Sequence, residues 1–314
     1  MISKSANIKV VGIGGSGGNA ISRMMKCDIK NIDLLALNTD VQDLSKINAH
    51  KKIHIGREIT KGLGTGMNPI IGRKAAEENI EEIEQMLKNS DMVFITCGLG
   101  GGTGSGASSV VAEIAKKQGA LTIAVVTKPF TFEGNQRKII AEQALKDLRG
   151  KVDTLLIIPN DKVLSLIDKE TTLLSAFWAC DEVLREAVQG ISDLIVFPGI
   201  INVDFADLKA IMKNSGPALF GIGRGRGENK IEEAVNKAIN SPLLDFSIKG
   251  AKGILFNVSG GQEVSLDEVK NIADLITQNV DYKAKIIFGA VQSKKMDKGE
   301  VKITVIATGF ENGC

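Results

Sequence analysis

The chain has 314 residues, about two domains' worth, and its 43% hydrophobic and 24% charged residues describe a globular protein that buries a core without disulfide or metal staples. Its 39 Lys+Arg against 37 Asp+Glu leave a formal charge of +2, which excludes the single-sign field of a general nucleic-acid or membrane-surface binder. Eleven Phe, one Trp and one Tyr are too few for a base-stacking platform. The first predicted strand is Ile8-Lys9-Val10-Val11, and it reaches glycine too soon to be a signal peptide. No apolar run approaches the ~18 residues of a membrane span, so a cytoplasmic protein without direct membrane insertion is expected.

Strands at Ile32–Leu37, Met92–Thr96, Leu121–Val126 and Leu155–Ile158 follow, separated by amphipathic stretches at Asn68–Lys88, Ser105–Gln118 and Gln136–Leu148. Near-continuous apolar strands alternating with helices predict a parallel sheet covered on both faces, a Rossmann-like doubly wound domain over residues 1–170. A helical period then runs from Thr171 to Phe197 and ends at Pro198-Gly199. A smaller α/β domain is predicted over 198–314, with helices at Phe205–Met212, Glu228–Ala238 and Leu266–Thr277. Its strands are expected at Ile254–Val258, Ile286–Phe288 and Ile303–Ile306. Cys27, Cys97, Cys180 and Cys314 form no CxxC, and His50 and His54 lack acidic or thiol neighbours in sequence. No metal site of protein ligands is expected.

Glycine clusters carry the chemistry. Gly12-Ile13-Gly14-Gly15-Ser16-Gly17-Gly18-Asn19 follows a strand and precedes a helix, the place where backbone N–H groups meet phosphate oxygens. With Asp40 after the next strand, it also matches a dinucleotide-binding fingerprint. Gly98-Leu99-Gly100-Gly101-Gly102-Thr103-Gly104-Ser105-Gly106 repeats the arrangement after Met92–Thr96, which a merely structural turn does not require. Lys61–Pro69 is a third such stretch. No GxxxxGK[ST] occurs, since Gly150-Lys151 is followed by Val152, so a P-loop NTPase is excluded.

Gly100–Gly106 reads GGGTGSG, the signature of the tubulin superfamily, and the chain resembles the FtsZ family, its bacterial branch, over nearly its whole length. Asn38-Thr39-Asp40, Lys61–Gly66, Thr127-Lys128-Pro129-Phe130, Phe132-Glu133-Gly134, Pro159-Asn160-Asp161, Gln189-Gly190-Ile191, Asn202–Asp207, Ser241–Leu244 and Ala307-Thr308-Gly309 carry the resemblance in order. It implies a GTPase that polymerises head to tail into protofilaments of the cell-division ring. GTP and GDP are the implied ligands, with Mg2+ and a monovalent cation beside them. Division-ring and membrane-tethering proteins are the implied partners, at the division site.

By position, the resemblance assigns Gly14, Gly15, Ser16, Gly17, Gly18, Gly100, Gly101, Gly102, Thr103, Gly104, Ser105 and Gly106 to the phosphates, with Asn38, Gly66, Thr127 and Pro129 around them. Glu133 meets the ribose and Arg137 the ribose–phosphate region. Asn19, Asn160 and Asp181 read the guanine edge, and Phe177 stacks on the base. A carboxylate at 181 accepts from guanine N1–H and its exocyclic amine together; adenine offers neither donor there, which is worth on the order of 10² in discrimination. Trp178 and Glu182 depart from the family pattern beside this site.

Asn202, Asp204 and Asp207 form an acid loop after the long helix. Asp204 reads locally as a helix cap; the resemblance gives Asp204 and Asp207 the task of orienting the attacking water. Sixteen residues from Asp181 to Phe197 span ~24 Å of helix, so these acids are expected to act on the nucleotide of a neighbouring subunit. Two other readings stand at the level of residues: a dehydrogenase, which leaves Gly100–Gly106 unexplained, and a non-catalytic nucleotide-binding scaffold.

Overall fold

The structure, a computed structural model, describes residues 6–27, 31–165, 167, 170–196, 201, 203–244, 247–261, 264–292 and 296–310. The chain divides into two compact units, Met1–Val188 and Gln189–Cys314. The first runs β1 (Ile8–Ile13), α1 (Gly14–Lys26), β2 (Ile32–Asn38), α2 (Val41–Lys46), β3 (Lys51–His54), α3 (Arg57–Thr60), α4 (Pro69–Glu78), α5 (Ile80–Leu87), β4 (Met92–Gly98), α6 (Gly102–Lys117), β5 (Leu121–Lys128), α7 (Asn135–Arg149), β6 (Thr154–Pro159) and α8 (Asn160–Leu164). Its strands are all parallel in the order β3-β2-β1-β4-β5-β6. β1, β4 and β5 are apolar on both faces because helices cover both, and Val10, Val11, Phe94, Ile95, Val125 and Val126 are fully buried.

Sheet order reverses between β1 and β4, where Ile13 stands beside Cys97. At such a switch point the connections leave in opposite directions and open a crevice at the strands' carboxyl ends. Lys9 is an exception in this core: its Nζ donates to the carbonyls of Met86 and Lys88 at 2.7 and 3.0 Å, closing the C-terminal end of α5. Burial holds its pKa below the ordinary lysine value.

Helix α9 (Leu173–Val196) crosses the boundary in sequence. The second unit follows as α10 (Phe205–Met212), β7 (Gly216–Arg226), α11 (Lys230–Ile239), β8 (Gly253–Gly260), α12 (Leu266–Thr277), β9 (Lys285–Gln292) and β10 (Glu300–Thr308). β10 lies between β7 and β8 and is antiparallel to both, while β9 runs parallel to β8. Phe256, Ile272, Ile276, Ile303 and Val305 are among its core residues. Ser265 caps α12 in a capping box with Glu268, which locates that helix from local chemistry alone. Among the described residues no helix is long and apolar enough to cross a membrane.

Several elements differ from the sequence expectation, and the short α2, β3, α3 and α8 are additional to it. The stretch expected as one helix over 68–88 is two, broken at Asn79, whose side-chain carbonyl accepts from Gly56 N–H at 2.9 Å. Helix α1 begins inside its glycine cluster, at Gly14, and α6 begins at Gly102, three residues before the expected Ser105. Strand β7 was not expected at all, because Gly221, Gly223 and Gly225 remove every second side chain from its centre. A β-carbon on Gly223 would stand 2.0 Å from the Ala234 carbonyl oxygen, so α11 packs its backbone directly on this face. Gly223→Ala is therefore expected to cost about 3 kcal/mol, the upper end for overpacking, read as a lowered urea midpoint by circular dichroism. An unchanged midpoint would mean that α11 does not press on β7.

Candidate functional site

Two helix starts converge at the crevice. β1 ends at Ile13 and α1 begins at Gly14; β4 ends at Gly98 and α6 begins at Gly102. Neither helix has a side-chain cap, and neither carries an acidic residue in its first turn. Their first N–H groups therefore lack intrahelical and capping partners, and both positive dipole ends face one space. A β-carbon at Gly14, where φ is +72°, would stand 3.2 Å from the Gly104 nitrogen, which shows how closely the two turns meet. The turn between β4 and α6 is fixed by Leu99 N–H donating to the Thr127 carbonyl at 2.9 Å and Gly100 N–H donating to Ser105 Oγ at 2.9 Å. An anion of phosphate geometry is the chemical complement of such a pair.

The cavity at this point encloses about 290 Å³ and is walled by Ile13, Gly14, Gly15, Ser16, Gly98, Leu99, Gly101, Gly102, Thr103, Gly104, Thr127, Pro129, Glu133, Arg137, Asn160, Phe177, Cys180 and Asp181. Away from the helix starts its character changes. Glu133 accepts from Phe130 N–H at 2.9 Å and from Arg137 Nη1 at 3.0 Å, a pair held across one helical turn. Asn160, buried at the start of α8, has a side-chain oxygen without a partner among the described residues. Such an acceptor is left for a ligand donor. Phe177 lies edge-on to Phe130, centroids 5.2 Å apart, and Phe130 stacks on Phe132 at 4.8 Å. One face of Phe177 thus borders the cavity wall on an aromatic backing.

Asp181 is buried, and burial pushes its carboxyl up to about 6 against the opposing pull of Arg23. The Arg23 Nε lies 3.4 Å from Asp181 Oδ2. Cys180 beside it is a neutral thiol, pushed by burial up to about 12, and contributes an uncharged wall.

Other residues singled out in the sequence stand behind this surface rather than on it. Gly17 packs α1 on the strands, a β-carbon there lying 2.5 Å from the Thr96 carbonyl oxygen, and Gly106 packs α6 on α4. Gly18 is buried against Ile47. Ser105 orients the Gly100 turn, and Asn38 accepts from Thr39 N–H while donating to Asp43. Asn19 is exposed on α1, and Gly66 has no neighbour near its α-carbon. Ile13, Gly98, Leu99 and Cys180 line the cavity without having been singled out; adjacency to the glycine clusters and to Asp181 was their one sequence signal. Trp178 and Glu182 do not line it: Trp178 carries the Arg23 guanidinium 5.3 Å from its ring centre, and Glu182 bonds Arg185.

The acid loop belongs to the second unit, and Asn202 lies outside the described residues. Asp204 is the N-cap of α10 by position, yet its carboxylate makes no capping hydrogen bond. Asp204 and Asp207 are both exposed. Helix capping, the local reading of Asp204, does not occupy that side chain.

The model of the Tubulin/FtsZ family, GTPase domain, matches residues 7–168, and that of the FtsZ family, C-terminal domain, matches residues 216–311. Among solved structures the chain is similar to an empty FtsZ dimer from M. jannaschii, at 46% identity over 98% of this chain and 89% of that one, with a TM-score of 0.94. It shares a fold with two Haloferax volcanii proteins, each covering 98% of this chain. They are the GDP-bound monomer of CetZ1 (21% identity, 95% of that chain, TM-score 0.82) and a GTPγS-bound protofilament of CetZ2 (19%, 94%, 0.80).

Proposed function

The chain belongs to the tubulin/FtsZ family of GTP-hydrolysing cytoskeletal proteins, and on that premise we propose that it polymerises head to tail, each junction completing one active site, in filaments of the cell-division ring. One observation carries the shared site. Among the described residues the acids of the cavity wall are Glu133, engaged by Arg137 and Phe130 N–H, and Asp181, both away from the helix starts. Among the described residues no carboxylate lines the phosphate end of the cavity wall, and Asp43, behind Gly15, is engaged by Asn38. Asp204 and Asp207, exposed on the second unit, are suited to supply that carboxylate from the next subunit, with Asn202 two residues before Asp204 in the sequence. The ~24 Å of helix expected between Asp181 and Phe197 argues the same way.

In this reading GTP lies with its phosphates on the starts of α1 and α6, its ribose at Glu133 and Arg137, and its guanine between Phe177, Asn160 and Asp181. Phosphoryl transfer needs placement and charge more than covalent help. The helix N–H groups stabilise charge on the phosphate oxygens, and the neighbour's Asp207 holds the water in line. Among the described residues no cluster of three His, Cys, Asp or Glu could cage a metal. Mg2+ would be held chiefly through the phosphates and would supply charge neutralisation there; Thr103, whose hydroxyl pairs with that of Thr39 at 2.7 Å, is the hydroxyl residue of α6 in the cavity wall.

Phosphate release and light scattering, followed together with GTP, GDP and ATP, test the proposal. Release per subunit should rise with protein concentration and scattering should need GTP; release independent of concentration would end the shared-site reading. A scaffold without catalysis would scatter and release nothing. Separately, GTP should displace a fluorescent guanine nucleotide about 100-fold better than ATP does, measured by competition at pH 8. Equal displacement would remove Asp181 from the base.

A further inference from the structure

Arg23 has no part in the family signature motifs and lies 158 residues from Asp181 in sequence. On α1 it falls in the last turn, where a cation suits the helix dipole. Its side chain is nonetheless spent elsewhere. The guanidinium lies over the Trp178 ring at 5.3 Å and turns its Nε to Asp181 Oδ2 at 3.4 Å. Trp178 and Asp181 are three apart on α9 and so share a face, which lets one platform and one carboxylate receive the same cation. Arg is suited to this double contact because its planar group stacks and donates at once.

The surroundings of Asp181 make the contact consequential. Apart from Arg23, the charged and titratable groups near it work against its charge or are engaged elsewhere. Cys180 on its own helix is a neutral thiol, and the acids that act on that thiol beside Asp181 are Glu133, on the turn before α7, and Asp161, on α8; Arg137, in the same cavity wall, is bonded to Glu133. Arg185, one turn along, is committed to Glu182 and Glu186. Among the described residues Arg23 is thus the cation that faces this buried acid.

The protonation state of that acid decides which purine it fits. A carboxylate only accepts, which matches guanine N1–H and its amine. A neutral carboxylic acid donates through O–H and accepts through C=O, which matches adenine N1 and N6–H once the base shifts along its edge by one position. We propose that Arg23, held against Trp178, sets the purine selectivity of the site by keeping Asp181 a carboxylate, so that loss of this cation converts a guanine reader into an adenine-tolerant one. The proposal rests on the reading that Asp181 meets the base, and it makes Arg23 a positioning residue rather than one that touches nucleotide.

The sign follows from the acid's raised titration point, about 6 with Arg23 present. The carboxylate prevails above it and the acid below it. Without Arg23 the opposing pull is gone and the titration moves upward in pH.

Equilibrium competition by GTP and ATP across pH 5.5 to 9 tests this, with Arg23→Gln, Arg23→Lys and Asp181→Asn beside the parent. The parent should hold about 100-fold preference for GTP at pH 8 and lose most of it by pH 5.5. Arg23→Gln should show the same fall displaced to higher pH, about 10-fold less selective than the parent at pH 7 and recovering toward pH 9. Arg23→Lys, which keeps the charge but loses the stacked planar group, should fall between the parent and Arg23→Gln. Asp181→Asn should be unselective at every pH, and adding Arg23→Gln to it should change nothing further. A loss of selectivity in Arg23→Gln that is flat with pH would show a merely structural role and overturn the proposal, as would a profile matching the parent. A parent without GTP preference at pH 8 would overturn the guanine reading and this inference with it. Should Arg23→Gln fold poorly by circular dichroism, Trp178→Leu, which removes the platform and leaves the cation, must move the profile in the same direction by a smaller amount, or the clamp is refuted.

Discussion

An Asp207→Ala chain should bind GTP as the parent does and hydrolyse it on the order of 10² to 10⁴ times more slowly, the range for loss of a positioned carboxylate. Binding survives because Asp207 is absent from the cavity walls, whose donors all come from the first unit. The fold survives because Asp207 is exposed. It sits in the first turn of α10, where its removal costs a helix-dipole interaction worth about 0.3–1 kcal/mol. Filaments of this variant should form with GTP and persist, since nothing converts their nucleotide. Mixed with a chain that folds but cannot hold nucleotide, it should regain phosphate release at junctions that place the second chain's intact acid loop over the first chain's GTP. Neither chain alone should release phosphate. Sedimentation must first show co-assembly. Co-assembled but inactive mixtures, or normal hydrolysis by Asp207→Ala alone, would falsify the shared site.

The nucleotide-free partner for that experiment is Gly104→Ser, which should lose about 100-fold or more in GTP affinity. Gly104 lies in the first turn of α6, and its φ is one that any residue can adopt. Space is what forbids a side chain. A β-carbon there would stand 2.7 Å from the Gly98 carbonyl oxygen and 3.3 Å from Cys97 Cβ, both at the end of β4. The strand end and the helix start must part, and Gly104 N is also the atom nearest a β-carbon built on Gly14. Displacing it separates the two sets of N–H groups that converge on the phosphates. Overpacking of this kind costs about 1–3 kcal/mol of stability, small enough for the unit to stay folded. Titration with a fluorescent GTP analogue beside circular dichroism separates the two effects. Undiminished affinity would place the phosphates elsewhere.

Much of the fold was legible locally. The apolar runs that became β1, β2, β4, β5 and β6 announce a sheet buried on both faces, because no polar alternation interrupts them. The helices expected at Phe205–Met212 and near Leu266–Thr277 coincide with α10 and α12. β7 was not legible. Its glycines leave one face without side chains, so neither alternation nor β-propensity appears, and the reason lies in how the following helix, α11, folds back onto those positions. The break at Asn79 is of the same kind, since its hydrogen bond to Gly56 joins residues 23 apart.

The site divides along the same line. Sequence by itself marked the backbone segments proposed to meet phosphate, because glycine clusters at strand–helix junctions are a local requirement of close backbone approach and an uncapped helix start. The resemblance, carried over by position, marked Glu133, Arg137, Asn160, Phe177 and Asp181 as well. Only the tertiary structure decided which glycines face the cavity and which pack helix on strand: Gly14 and Gly104 meet across the crevice, while Gly17 and Gly106 serve neighbours behind it. Only the tertiary structure paired Arg23 with Asp181 and set Trp178 beneath it. Helical spacing puts Trp178 and Asp181 on one face, but no rule of spacing brings α1 to that face. The charge a buried carboxyl keeps depends on what packs against it, and packing is settled only when the whole unit closes.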